Sequence, residues 1–147
     1  MKKNIDLSLR QNDYANKRIL IISTKWNEEI IQPMLDDCKK SLTTMKANFS
    51  EIIVPGAFEI PFMVNNKAKS YDAVITLGAI IKGETPHFDI IAQSISDQII
   101  SLGVILNKPI VFGVLTTNSP DQALERSKTK GKELAFSALH LLDQLDG

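Results

Sequence analysis

The chain has 147 residues, and its 17 Lys and Arg balance 17 Asp and Glu, so the net charge is zero with histidine neutral. With 44% hydrophobic and 23% charged residues, the composition is that of an ordinary globular chain; it excludes disorder and fibrous repeats and predicts one domain over residues 1–147. Zero net charge argues against a nucleic-acid binder, a single cysteine, Cys38, excludes an internal disulfide, and with only His87 and His140 beside it no zinc cluster, and hence no metal, is expected.

The first ten residues, from Met1 to Arg10, carry two lysines but no continuous apolar stretch, which does not read as a secretory signal. No segment approaches the run of about 18 apolar residues that a bilayer requires, so a cytoplasmic chain without a membrane partner is expected. Ile5, Leu7 and Leu9 alternate with polar neighbours and have no obvious partner within the domain. Two readings of residues 1–13 stand: an N-terminal arm that adds to the sheet edge of a neighbouring subunit, or a frayed terminus.

Four short apolar runs follow: Arg18–Ser23, Phe49–Val54, Asp72–Gly78 and Pro109–Leu115. They are β-branched and nearly continuous, the pattern of strands covered on both faces. Between them lie helical patterns. Ile31, Met34, Leu35, Cys38, Leu42 and Met45 mark one buried stripe. A weaker helix over Glu59–Lys69 carries Pro61, which fits only a first turn. Phe88, Ile91, Ile95, Ile99 and Leu102 mark the third helix; Leu134, Ala135, Ala138, Leu139, Leu142 and Leu145 mark the last. Cys38 is expected in the core, and His140 is assigned no role. Strand and helix in alternation predict an α/β fold, a three-layer αβα sandwich of flavodoxin-like type around a four-stranded parallel sheet.

In such sheets ligands bind at the carboxyl ends of the strands, which selects four loops before any motif is considered. The first holds the sole tryptophan, Trp26, with Asn27; the second is Pro55-Gly56-Ala57-Phe58-Glu59; the third runs from Ala79 to His87; the fourth from Thr116 to Pro120. Thr85-Pro86-His87-Phe88 reads as a helix start with Thr85 capping and Pro86 in the first helical position, a place suited to an anion. Histidine is the side chain whose ordinary titration falls near neutrality, so His87 there is either a proton-transfer group or a helix-start residue that bonds a neighbour. Ser119-Pro120-Asp121-Gln122 is a second helix start, with Gln122 placed to reciprocate the cap. Behind it, Arg126, Lys128, Lys130 and Lys132 form either a solvated basic face or a phosphate grip built on the bidentate arginine.

Three segments carry a specific resemblance: Val54-Pro55-Gly56-Ala57-Phe58-Glu59-Ile60-Pro61, Leu77-Gly78-Ala79-Ile80-Ile81-Lys82-Gly83-Glu84-Thr85-Pro86-His87-Phe88-Asp89, and Phe112-Gly113-Val114-Leu115-Thr116-Thr117 with Gln122-Ala123-Leu124-Glu125-Arg126. In order and spacing, from about Ile19 onward, the chain resembles the lumazine synthases. The resemblance implies condensation of 5-amino-6-(D-ribitylamino)uracil with 3,4-dihydroxy-2-butanone 4-phosphate to 6,7-dimethyl-8-ribityllumazine, without metal or organic cofactor. It implies Trp26 stacked on the pyrimidine, Asn27, Ala57, Phe58 and Glu59 around ring and ribityl chain, and backbone groups of Ala79, Ile80 and Ile81 on the uracil edge. Glu84 and Thr85 would meet the four-carbon phosphate, and His87 would move protons. Phe112 and Arg126 would come from a neighbouring subunit, and Lys130 and Glu133 would make phosphate or assembly contacts. The family forms homopentamers, some gathered into a shell of sixty subunits; the resemblance leaves the shell open for this chain. Pro86 stands where family members commonly have a polar residue, Trp26 where phenylalanine is commoner, and Ser127–Glu133 reads as a shortened loop.

Overall fold

The computed structural model describes residues 8–83 and 86–147. Ile5 and Leu7 of the expected arm, and Glu84 and Thr85 of the third loop, lie outside the described residues.

Strands β1 (Arg18–Thr24), β2 (Asn48–Val54), β3 (Ala73–Ile81) and β4 (Ile110–Thr117) form one parallel sheet in the order β2-β1-β3-β4. The chain winds outward from β1 to β2 and then returns to build β3 and β4 on the other side. The strand order therefore reverses between β1 and β3, and a crevice opens at their carboxyl ends. Successive side chains on a strand face opposite ways. Ile19 and Ile21 enter the core shared with helices α1 (Glu28–Thr44) and α4 (Pro120–Asp146), whereas Leu20 and Ile22 enter the core shared with α2 (Ile60–Lys67) and α3 (Phe88–Leu106). That double coverage explains the unbroken apolar run of β1. β2 differs from the sequence expectation: it is an edge strand, and Val54 is its one buried residue.

The stripe on α1 is buried at Ile31, Met34, Leu35, Cys38 and Leu42, with Met45 partly buried at the helix end. Burial, with Asp37 alongside, pushes the Cys38 thiol up to about 12 from the usual 9.0. The folded value exceeds the unfolded one, so this stabilisation is whole below pH 9.0 and fades as pH rises through about 12. Cys38 is therefore expected to resist an aromatic disulfide reagent at pH 8 and to react once the chain is unfolded in denaturant; rapid native labelling would contradict its burial.

Several boundaries differ from the sequence reading. A 3-10 turn, Ala57–Glu59, precedes α2 and another, Ala68–Ser70, follows it; Pro61 does sit in the first turn of α2. Helix α3 begins at Phe88, with His87 as its cap at φ −117° and ψ 38°, so Pro86 lies in the preceding turn and not in the first helical position. Ser119 caps α4 by accepting from the Gln122 N–H at 3.2 Å, but the Gln122 side chain accepts from Asn118 N and not from Ser119. The run Ser127–Glu133 is no loop. It is the middle of α4, held helical against α1, where Ser127 Oγ accepts from Met34 N at 3.1 Å and Asp37 Oδ2 from Lys132 N at 2.8 Å. Leu145 is 66% exposed; at this end of α4, Leu142 and Asp143 take the inward positions.

Asp143 also gives the described part of the arm a partner within its own domain, contrary to expectation. Its buried carboxyl group accepts from Tyr14 OH at 2.9 and 3.0 Å and from Arg10 N at 2.9 Å, and Leu9 packs on the α1–α4 core. A buried carboxyl group needs such donors, and the N-terminal segment supplies them.

Candidate active site

The crevice at the strand reversal holds a hollow of about 330 Å³, within the usual range for small-ligand sites. Trp26, Asn27, Ala57, Phe58, Ala79, Ile80 and Ile81 line it, joined by Thr24, Gly56, Ile91 and Ile95. The first seven are residues the sequence singled out; Thr24 and Gly56 fall in the loops it selected without being assigned a contact, and Ile91 and Ile95 were missed. Thr24 opens the first of those loops, whereas Ile91 and Ile95 read as core of the third helix. The lining carries no charged side chain. It offers an indole 65% exposed, a ring from Phe58, one amide and backbone groups.

The loop after β1 is held by backbone geometry. Lys25 N donates to Val54 O at 2.8 Å and Trp26 N to Pro55 O at 2.9 Å, extending the β1–β2 ladder past the strand end. Asn27, at φ 64°, turns the chain into α1, a left-handed conformation that asparagine tolerates. Its Nδ2 donates to Ala79 O at 3.3 Å and links the loops of β1 and β3. Glu59 Oε1 accepts from Gly56 N at 2.8 Å, so this carboxylate shapes the second loop from behind and is not among the lining residues.

A second hollow, about 430 Å³, lies at the end of β3 and the first turn of α3, lined by Lys82, Gly83, Pro86, His87, Phe88, Asp89 and Ile90. Gly83, at φ 98°, turns the chain out of the strand. Lys82 and Asp89 are charged groups of this hollow that the sequence reading did not assign.

Phe112 and Arg126 lie in neither hollow. Phe112 is half-buried on β4, against the α2–α3 core, and the exposed Arg126 reaches Thr116 O on the same edge strand at 3.4 Å. Lys130 and Glu133 pair with each other at 3.4 Å on α4.

Fold and crevice together define an α/β sandwich with a candidate small-molecule site at the reversal of its parallel sheet. The family model described as 6,7-dimethyl-8-ribityllumazine synthase matches residues 16–146, and the chain belongs to that family. It is similar to proteins of that name from Leuconostoc mesenteroides, at 38% identity over 89% of this chain and 90% of the relative, and Desulfotalea psychrophila, at 40% over 88% and 90%. A third, from Sulfurimonas denitrificans, is 34% identical over 88% of this chain and 87% of its own. The chain is an enzyme of riboflavin biosynthesis, a transferase that forms 6,7-dimethyl-8-ribityllumazine.

Proposed function

We propose that the uncharged hollow at β1 and β3 takes the pyrimidine, that the His87 hollow takes the four-carbon phosphate, and that a second subunit completes the site. The reaction is the family's condensation of 5-amino-6-(D-ribitylamino)uracil with 3,4-dihydroxy-2-butanone 4-phosphate, releasing phosphate and water. An amine adds to a carbonyl and loses water to give an imine, phosphate is eliminated, and the second amine closes the ring on the remaining carbonyl with loss of a second water. Each step moves protons and none changes oxidation state.

In this reading Trp26 stacks on the heterocycle. Asn27, Ala57 and Phe58, with Glu59 behind them, surround ring and ribityl chain, while the backbone of Ala79, Ile80 and Ile81 meets the uracil edge. Glu84 and Thr85 meet the phosphate-bearing substrate, and His87 passes protons between the reacting groups. Most of the acceleration then comes from holding two polar reactants in register and stabilising the departing phosphate.

One observation carries the shared site. The ring-binding groups gather around β1 and β3, whereas Arg126, on α4, reaches Thr116 O of β4, an edge strand of the sheet. A head-to-tail ring of subunits brings the β4 edge of one to the crevice of the next. The exposed apolar surface supports such a ring. Helix α3 has the length and mean hydropathy of a membrane span, yet only 11% of that window is buried within the chain. Ile90, Ile100, Val104 and Ile105 are exposed on it, and Phe62, on α2, is 70% exposed; patches of this kind mark subunit contacts. The ring proposed is a homopentamer in the cytoplasm, with Lys130 and Glu133 near phosphate or assembly contacts.

The test is to mix the purified protein with both substrates and follow lumazine absorbance, with sedimentation in parallel. Condensation faster than the spontaneous reaction, by a five-subunit particle, is expected. A rate equal to the spontaneous one would refute the enzyme, and a fully active monomer would refute the shared site.

A further inference from the structure

The indole of Trp26 is a platform with little packing of its own: it is 65% exposed and stands at the crevice mouth. A ring that exposed samples several rotamers unless its backbone and one face are held, and ordering it on binding would cost part of the substrate's binding energy. Three features of this chain hold it. On its amino side, Trp26 N donates to Pro55 O at 2.9 Å. On its carboxyl side, the buried Thr24 hydroxyl donates to Trp26 O at 2.7 Å. Beneath the ring lies Gly56, where an added Cβ would collide with Trp26 Cε3 and stand 2.8 Å from Cζ3. The glycine is extended, at φ −147° and ψ −178°, a conformation open to any residue. Its missing side chain therefore serves the ring and not the backbone. Glu59 Oε1 holds Gly56 N at 2.8 Å and keeps the floor of this cradle in place.

We propose that Thr24 and Gly56 are positioning residues that set the plane of the Trp26 indole before substrate arrives, so that the pyrimidine meets a preformed stacking surface. The proposal rests on the reading that Trp26 carries the heterocycle. It acts through Trp26 and involves no contact of the Thr24 hydroxyl with the reacting atoms. Thr24 is suited to this because its methyl packs over Gly78, 3.4 Å from the place a Cβ would occupy there, which leaves the hydroxyl directed at the loop.

The chain holds one tryptophan, so its fluorescence reports this ring alone. Thr24→Val keeps a branched side chain and removes the hydroxyl; Thr24→Ser restores the hydroxyl; Gly56→Ala pushes on the ring face without touching Thr24. Time-resolved anisotropy of the substrate-free protein is expected to gain a fast component in Thr24→Val and Gly56→Ala and to remain at the native pattern in Thr24→Ser. Steady-state kinetics are expected to show KM for the pyrimidine raised about fivefold in Thr24→Val, the worth of one neutral hydrogen bond, with KM for the butanone phosphate unchanged and Thr24→Ser near native. Native anisotropy in both Thr24→Val and Gly56→Ala would overturn the cradle. A loosened ring with an unaltered pyrimidine KM would overturn the stacking role on which it rests. Far-ultraviolet dichroism identical to the native protein in Thr24→Ser and Gly56→Ala keeps the comparison independent of how well Thr24→Val folds.

Discussion

Arg126→Ala is expected to lower kcat/KM for the butanone phosphate about a hundredfold, the loss of about 3 kcal/mol of charge-assisted hydrogen bonding to a phosphate, while the fold is retained. Arg126 is exposed on α4 and its described hydrogen bond, to Thr116 O, is a long one at 3.4 Å, so little stability depends on it. The stronger form of the experiment pairs it with Trp26→Ala. Each variant alone lacks one half of every site. If the halves come from adjacent subunits, dissociating and reassembling the two variants in equal amounts regenerates intact sites at about a quarter of the junctions, the fraction random mixing around a cyclic ring provides. A mixture no more active than its parents would place both residues in one subunit and defeat the shared site.

Gly131→Ala is expected to be among the most damaging single substitutions in the chain. A Cβ there would lie 2.5 Å from Met34 O, 2.6 Å from Asp37 Cβ and 2.7 Å from Cys38 N. Two of those atoms belong to the α1 backbone and cannot swing aside, so α1 and α4 must separate and loosen Ser127 from Met34 and Asp37 from Lys132. Overpacking of this kind costs about 3 kcal/mol, which at this chain length lowers Tm by about 10 °C at fixed protomer concentration. Thermal denaturation followed by circular dichroism measures it; a Tm within 2 or 3 degrees of native, on the order of what a neutral surface change gives, would show that the helices part at little cost. An alanine substitution in the helix interior would otherwise stabilise it relative to glycine, so the sign of the change isolates the interhelical contact.

The parallel sandwich was legible because a strand covered on both faces cannot alternate. The runs around Ile19-Leu20-Ile21-Ile22 and Ala73-Val74-Ile75 divide residue by residue between two cores. The loops of the candidate site were legible for the same reason: once the strands are parallel, their carboxyl ends lie together, and Trp26, Gly56–Phe58 and Ala79–Ile81 do converge there. β2 misled because its apolar composition resembles that of β1, while it stands at the edge of the sheet with Val54 as its one buried residue. The start of α3 misled because a Thr-Pro pair is a good helix opening in isolation, whereas the chain leaves β3 through a positive-φ turn at Gly83 and enters the helix two residues later than Pro86.

From the order of its residues alone, the chain determined its class, its strand and helix content, the end of the sheet that bears the candidate site, and through three long segments its family. Those properties follow from local periodicity and from side chains that can be read one at a time. Tertiary structure decided the rest: that Ser127–Glu133 is helix and not loop, that Leu9 and Arg10 dock on the chain's own last helix, that Glu59 braces Gly56, and that Arg126 stands apart from the hollow holding Trp26. Each depends on which groups from distant segments meet at contact distance, and no periodicity within one segment encodes that.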